Sequence, residues 1–495
     1  MTSRVLLSSL AFAALVLASV GCSSAPKEPP LDPLSAAKSD ALSIEDRSAS
    51  LDRVWAEAGG SPAAREALKS VAWMARAPSP VRVHALELIL ADPADPDGVD
   101  TRNMMRLMLP VEPDMGVIGF ISRTAAERRW TDLAGPLVRS YSRNVAAPAD
   151  VDRPERAALV ALFPADTIER IVFRVFATAA GGEGRELERG EKARTAAWEL
   201  LSRLDVDGSI RASLLDGETG GGDALLETLR AARRDLGAVP LTSSQLEWLQ
   251  TLRNTADTRH GAERKAWWAQ AAAAVASLRP QQRERLALRH AEPIRWASAN
   301  RSEWMSLDRD QLATLMRTRL AGRPKAVRNM RDNGISDSFI DNEERLVWAD
   351  VLTVLSIDDA IRQPGVVKPL FTQAEQDRAD TSTEYGGIIR PDAARPDTFA
   401  AVLYPPRATQ RTGDTRFVAS DDLLEAGATA LAHYHFHVQR VNNAEYAGPG
   451  PGDMDYALDQ GRACVVFTSV RAGVLNANYY QPGLSVNLGE VAIVP

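Results

Sequence analysis

The sequence predicts a multidomain chain in which an all-α, solenoid-like N-terminal region is followed by an α+β domain. Two observations carry this reading. All ten tryptophans lie between Trp55 and Trp348, whereas seven of the eight tyrosines lie at or after Tyr385. Apolar residues recur at helical spacing in the first part and crowd into short β-branched or aromatic runs in the second. The change in composition places a boundary near "IRQPGVVKP", Ile361 to Pro369. A chain of 495 residues, 45% of them hydrophobic, is long enough for two or more domains.

Residues 1–22, "MTSRVLLSSLAFAALVLASVGC", read as a signal segment outside the fold. One arginine, Arg4, precedes an apolar run from Val5 to Val20 that is too short and too weakly flanked for a stop-transfer helix. The run ends in Ser19-Val20-Gly21-Cys22, which resembles the processing site of bacterial lipoproteins, with Ser19 where leucine is usual. That resemblance implies an acylated Cys22 as mature N-terminus and membrane anchor; an ordinary secretory signal cut nearby is the alternative. Ser23 after the cysteine resembles the pattern sorted to the outer membrane of Gram-negative cells, which implies its periplasmic face. Residues 23–45 follow, with "SSAPKEPPLDPLSAAKSD", and their prolines and small polar residues predict a flexible tether.

Residues 46–360 read as helices. "REALKSVAWMARA" and "VRVHALELILAD" flank Pro78-Ser79-Pro80 as an antiparallel pair. In "PADTIERIVFRVFATA" Asp166 is the expected N-cap, with Ile168, Ile171, Val172, Val175 and Phe176 on one stripe. Ala197, Leu200, Leu201 and Leu204 form the next stripe. Leu225, Leu226, Leu229 and Leu236 form another, closed by Gly237 as a C-cap. Helix pairs with one apolar face each must stack to bury it, as in HEAT or armadillo arrays, although no strict repeat period is present. "AAGGEGRELERGEK" and "LLDGETGGGD" read as exposed loops. His84, His260 and His290 read as structural residues.

Residues 366–495 read as strands and turns. "YGGII", "TFAAVLY", "TALAHYHFHV", "ACVVFTSV", "VLNANYY" and "LSVNLGEVAIV" are the six expected strands. "SDDLLEAG", capped by Ser420, and "GDMDYALDQG", ending near Gly461, are the expected helices between them. Cys464 reads as a small buried strand residue without a disulfide partner. The net charge of -7 and the lack of a dense basic run exclude a nucleic-acid partner.

"AHYHFHVQRVNNAEYAGPGPGD" holds three of the chain's six histidines, His433, His435 and His437. With period 2 they share one face of a strand, as a metal site, a proton relay or a polar outer surface. A hydrolytic zinc site needs three protein ligands, an open position, and a carboxylate to move the proton of the attacking water. Two histidines at i and i+2 can reach one ion. Asp453 follows on a glycine- and proline-rich turn, and Glu384 heads the apolar strand "EYGGII", an unusual place for an acid.

A glutamate opening an E-x-G-G strand, a strand ending in H-x-H, and an aspartate introducing a helix resemble the JAMM/MPN (Mov34-like) metallopeptidases. The resemblance spans Val366 to Pro495 and includes the order of expected elements. It implies a zinc ion held by His435, His437 and Asp453, with Glu384 as general acid/base, and cleavage of peptide or isopeptide bonds. His433 remains a possible outer partner or alternative ligand, and Asp455 an alternative carboxylate. Val438 stands where the family has proline, the stretch from His437 to Asp453 is longer than usual, and Gly450 replaces the serine that stabilises the tetrahedral intermediate. A backbone N–H or a water are the substitutes open to the chain.

The leading expectation is a membrane-tethered lipoprotein whose zinc-dependent peptidase-like domain acts on a protein or peptide amide in the envelope. The alternative is a non-catalytic scaffold that uses a degenerate JAMM-like fold and helical repeats for protein interaction. A closed four-ligand structural metal site, with His433 as the fourth ligand, is a third.

Overall fold

The computed structural model of the protein describes residues 31–58, 60–144, 149–178, 184–217, 223–326 and 336–493. Cys22 and the signal segment lie outside the described residues. The chain divides into two compact units. One is Met1–Met108 with Glu112–Phe120; the other is Leu109–Val111 with Ile121–Pro495.

The first unit is helical. Part of the expected tether is folded: Asp32 caps the helix Pro33–Lys38 by accepting the N–H groups of Leu34 and Ser35. Ala36 and Ala37 on that helix are buried, and Arg47 Nε donates to the Ala37 carbonyl at 3.0 Å. Two alanines and a proline at the first turn suffice once a neighbouring helix, Ile44–Ala58, supplies the apolar surface. The expected pair around Pro78-Ser79-Pro80 is present as Pro62–Ala72 and Ser79–Leu90. Buried Arg82 stitches it to the following turn, donating to the Ala72 carbonyl at 2.8 Å and forming a two-pronged ion pair with buried Glu112.

The second unit begins with helices and ends in a sheet. Ile168–Thr178 buries its whole expected stripe, but its cap is Thr167, whose Oγ1 accepts the Arg170 N–H at 3.3 Å. Asp166 instead pairs with Arg174. The helix Arg185–Leu204 runs through most of "AAGGEGRELERGEK", correcting the expected loop: glutamates and arginines at helical spacing keep it going on its solvent face. Ser209–Gly217 likewise takes in the start of "LLDGETGGGD". Gly237 closes its helix at φ 66° as expected.

Strands β1 (Gly386–Pro391), β2 (Phe399–Leu403), β3 (Ala432–His437), β4 (Cys464–Arg471), β5 (Val474–Gln481) and β6 (Leu484–Ala492) form one mixed sheet in the order β2-β1-β3-β4-β5-β6. Only the β3–β4 pair is parallel; the other four pairs are antiparallel. All six coincide with the expected runs. Alternation sends Ile389, Tyr434, Phe436, Val465, Phe467 and Tyr479 to one face, where they join a single core with Trp296, Leu312 and the helix Trp348–Ala360. That helix is buried on nearly every side. Cys464, Val466 and Tyr480 point to the other face, under the helix Pro451–Gln460.

The expected boundary at Ile361 to Pro369 is therefore not a break in the core, which runs from Ala274 to Val491. The helix Pro364–Ala379 passes through it. Trp248 Nε1 donates to the Ala428 carbonyl at 2.8 Å, and Trp296 Nε1 to the Pro396 carbonyl at 3.1 Å. Two of the tryptophans that marked a compositional shift thus join helices to the sheet's surroundings.

Candidate metal centre

The site lies on the sheet face covered by Pro451–Gln460. β3 pairs with β1 so that His435 faces Gly386 and His433 faces Ile388, which brings the head of β1 beside the histidines. The Gly-Gly pair has a steric cause. A Cβ on Gly386 would stand 2.2 Å from the Phe417 ring, and one on Gly387 would stand 2.1 Å from the Val402 carbonyl. Phe417 uses that room to stack on His435, with ring centres 5.2 Å apart and planes inclined by 14°.

His435 and His437 point their Nε2 atoms at each other, 3.3 Å apart, and Asp453 meets both. Asp453 Oδ1 is 3.2 Å from His435 Nε2, and Oδ2 is 3.6 Å from His437 Nε2. Each Nδ1 is engaged from outside: His437 Nδ1 donates to the Tyr446 carbonyl at 3.1 Å, and His435 Nδ1 bonds the Tyr480 hydroxyl at 3.3 Å. Because a carbonyl only accepts, the neutral His437 ring carries its lone pair on Nε2, the form that binds a metal. Asp453 sits in the first turn of its helix, where Oδ2 also accepts the Gly450 N–H at 2.7 Å. Glu384, His435 and His437 each place a ligand atom within 4.8 Å of the other two, so this cluster can hold a metal ion.

The electrostatics are those of an ion site. Burial pushes the Glu384 carboxyl up from 4.5 to about 7, with His435 opposing. Burial disfavours a charged His435, yet Asp453 and Glu384 outweigh it and hold the imidazole above its ordinary range. Asp453 is desolvated too, and the two histidines still keep its carboxyl far below the usual carboxylate range. Two imidazoles and two carboxylates converge and share protons that a divalent cation would displace.

The four expected principal residues are thus together. His433 is on the same face but not in the cluster: it is buried, its Nδ1 bonds the Tyr456 hydroxyl at 2.8 Å, and its Nε2 packs against Gly427. Its ring atoms are not among the converging ligand atoms of Glu384, His435 and His437. Asp455 is exposed. Cys464 is buried and free, as expected. His290 is buried against Asp350 at 2.9 Å, and His84 bonds Asp52 at 2.8 Å, both structural. Reading the sequence missed Gln439, whose Nε2 donates to Glu384 Oε1 at 3.0 Å. Its signal was present, since Gln439 continues the period-2 series of the histidines. Phe417 had none, because a loop has no period to read.

Comparison with protein-family models, with curated proteins and with solved structures returns no match for this chain.

Proposed function

We propose that the chain is a zinc-dependent hydrolase of peptide or isopeptide bonds, JAMM-like in its C-terminal part and presented on a lipid-anchored, solenoid-like helical region of the bacterial envelope. The observation that carries this reading is the convergence of His435 Nε2, His437 Nε2 and the Asp453 carboxylate beside a buried Glu384. His435, His437 and Asp453 would hold the zinc, which when bound supplies a Lewis acid for the scissile carbonyl and acidifies water. Glu384 takes the proton from the attacking water and returns it to the leaving amine. Burial raises this carboxyl above the ordinary carboxylate range, which favours its taking and returning a proton. Tyr446 and Tyr480 hold the imidazoles in the ligating orientation. The anchor reading rests on Cys22. Among the described residues no helix is long and apolar enough to cross a membrane.

The test uses the zinc-loaded full chain and its Glu384→Gln variant on an isopeptide-linked reporter and on envelope-protein peptides, with metal content measured in parallel. Zinc is retained and turnover falls by about 10²–10⁴-fold, the usual share of general acid–base catalysis. Equal rates would remove Glu384 from the reaction. One observation favours the second reading, a non-catalytic docking module. At Gly450 there is no hydroxyl, and its N–H is committed to Asp453, so neither meets a developing oxyanion. Absence of cleavage by the zinc-loaded chain across these substrates supports that reading.

A further inference from the structure

Glu384 is placed to do either of two incompatible things. It lies close enough to His435 and His437 to share an ion with them. A carboxylate that coordinates is lost as a proton carrier, because the lone pair that would take the proton is given to the metal. Four protein ligands would also close the site, the arrangement of a structural zinc. Which of the two it does depends on what restrains its carboxylate.

Gln439 Nε2 donates to Glu384 Oε1 at 3.0 Å and to the main-chain carbonyl of Asp414 at 2.8 Å. Gln439 Oε1 accepts from Asn443 Nδ2 at 2.9 Å. The same Asn443 Nδ2 donates to the His437 carbonyl at 3.2 Å, and the Asn443 N–H donates to the Ser469 carbonyl of β4 at 2.7 Å. Chemistry orients both amides. The carbonyls of Asp414 and His437 only accept, so the NH2 ends of Gln439 and Asn443 must face them. Gln439 is thereby forced to present a donor to Glu384. The link starts on the strand that carries the histidines and ends on the carboxylate opposite them.

We propose that Gln439, locked by Asn443, is a positioning residue that holds Glu384 off the metal, and so decides whether this carboxylate carries protons or becomes a fourth protein ligand. The inference rests on the metal reading above and adds what regulates it. The test reads coordination directly, by loading the full chain with cobalt(II), whose visible bands report the number and kind of ligands. Gln439→Met keeps the bulk of a half-buried side chain and removes both ends of the link. The expected results are a changed cobalt spectrum and tighter zinc binding in competition with a chelator. The gain is about 10-fold, the scale on which outer partners act on metal affinity. In a Glu384→Gln background the same substitution leaves spectrum and affinity unchanged, because the group that would swing in is gone. Asn443→Leu, acting through Gln439, shifts the spectrum in the same direction as Gln439→Met. A cobalt-binding chain whose spectrum and zinc affinity ignore Gln439→Met overturns the role of Gln439 and leaves the metal site standing. An unsubstituted chain that takes up no cobalt overturns both.

Discussion

Replacing Glu384 by glutamine makes the metal-free protein more stable, and the gain grows with pH. The Glu384 side chain is in a residue only 3% exposed, and burial lifts its carboxyl from 4.5 to about 7. In the unfolded chain the same group titrates near its ordinary value. Between those two values the folded state holds a proton that the unfolded state has released. Stability therefore falls as pH rises through that window, and the loss is complete above the folded value. At about 1.4 kcal/mol per tenfold in ionisation constant, the gap amounts to about 3 kcal/mol. Glutamine imitates the protonated carboxyl, accepts from Gln439 in the same way, and has no charge to desolvate. The variant should exceed the parent by less than about 1 kcal/mol at about pH 5 and by about 3 kcal/mol at about pH 8.5, the latter roughly 4 °C in midpoint for a unit of this size. Calorimetric scans of both chelator-treated proteins at the two pH values check it. Groups remote from Glu384 cancel in the difference; His435 and Asp377, both held up in part by the Glu384 charge, shift with it. Saturating zinc shrinks the gain, since the cation stabilises ionised Glu384. A variant no more stable than the parent at the higher pH, or equally stabilised at both, would refute the picture of a desolvated carboxylate.

His437→Ala or Asp453→Ala reduces zinc from about one ion per chain to background in elemental analysis, because each removes a group at the point of convergence. His433→Ala leaves the zinc content unchanged, its ring being engaged with Tyr456. The isolated 364–495 segment shows no cooperative unfolding and binds no stoichiometric zinc. Its sheet has lost Trp296, Leu312 and the Trp348–Ala360 helix from the core, so a cooperative transition by calorimetry would contradict the shared core. Cys22→Ser moves the protein out of the membrane fraction or blocks its processing, and unchanged membrane association after fractionation would count against lipid anchoring.

Much of the fold was legible because its signals are local. The six strands stand at their expected places, since each apolar run is short, β-branched or aromatic, and bounded by turn residues. The helix that delivers Asp453 begins at Pro451 and ends at left-handed Gly461, both visible as letters. The cap of Ile168–Thr178 was misplaced by one residue because Asp166 and Thr167 are both good caps, and only the position of Arg174 decided between them. The tether was overextended because its prolines and small residues lack a stripe of their own, and Ala36 and Ala37 gain one only from a neighbouring helix.

The sequence by itself determined the identity of Glu384, His435, His437 and Asp453 as the candidate centre, because residue type and period say which side chains can ligate and which share a face. Tertiary structure alone decided that His433, on the same face, turns its ring to Tyr456 and Gly427 while Glu384, His435 and His437 converge. It also decided that the helices from Ala274 onward share one core with the sheet. Composition records which residues a segment contains, whereas burial depends on what comes to lie against it, and Trp296 lies against Phe399 from about a hundred residues away.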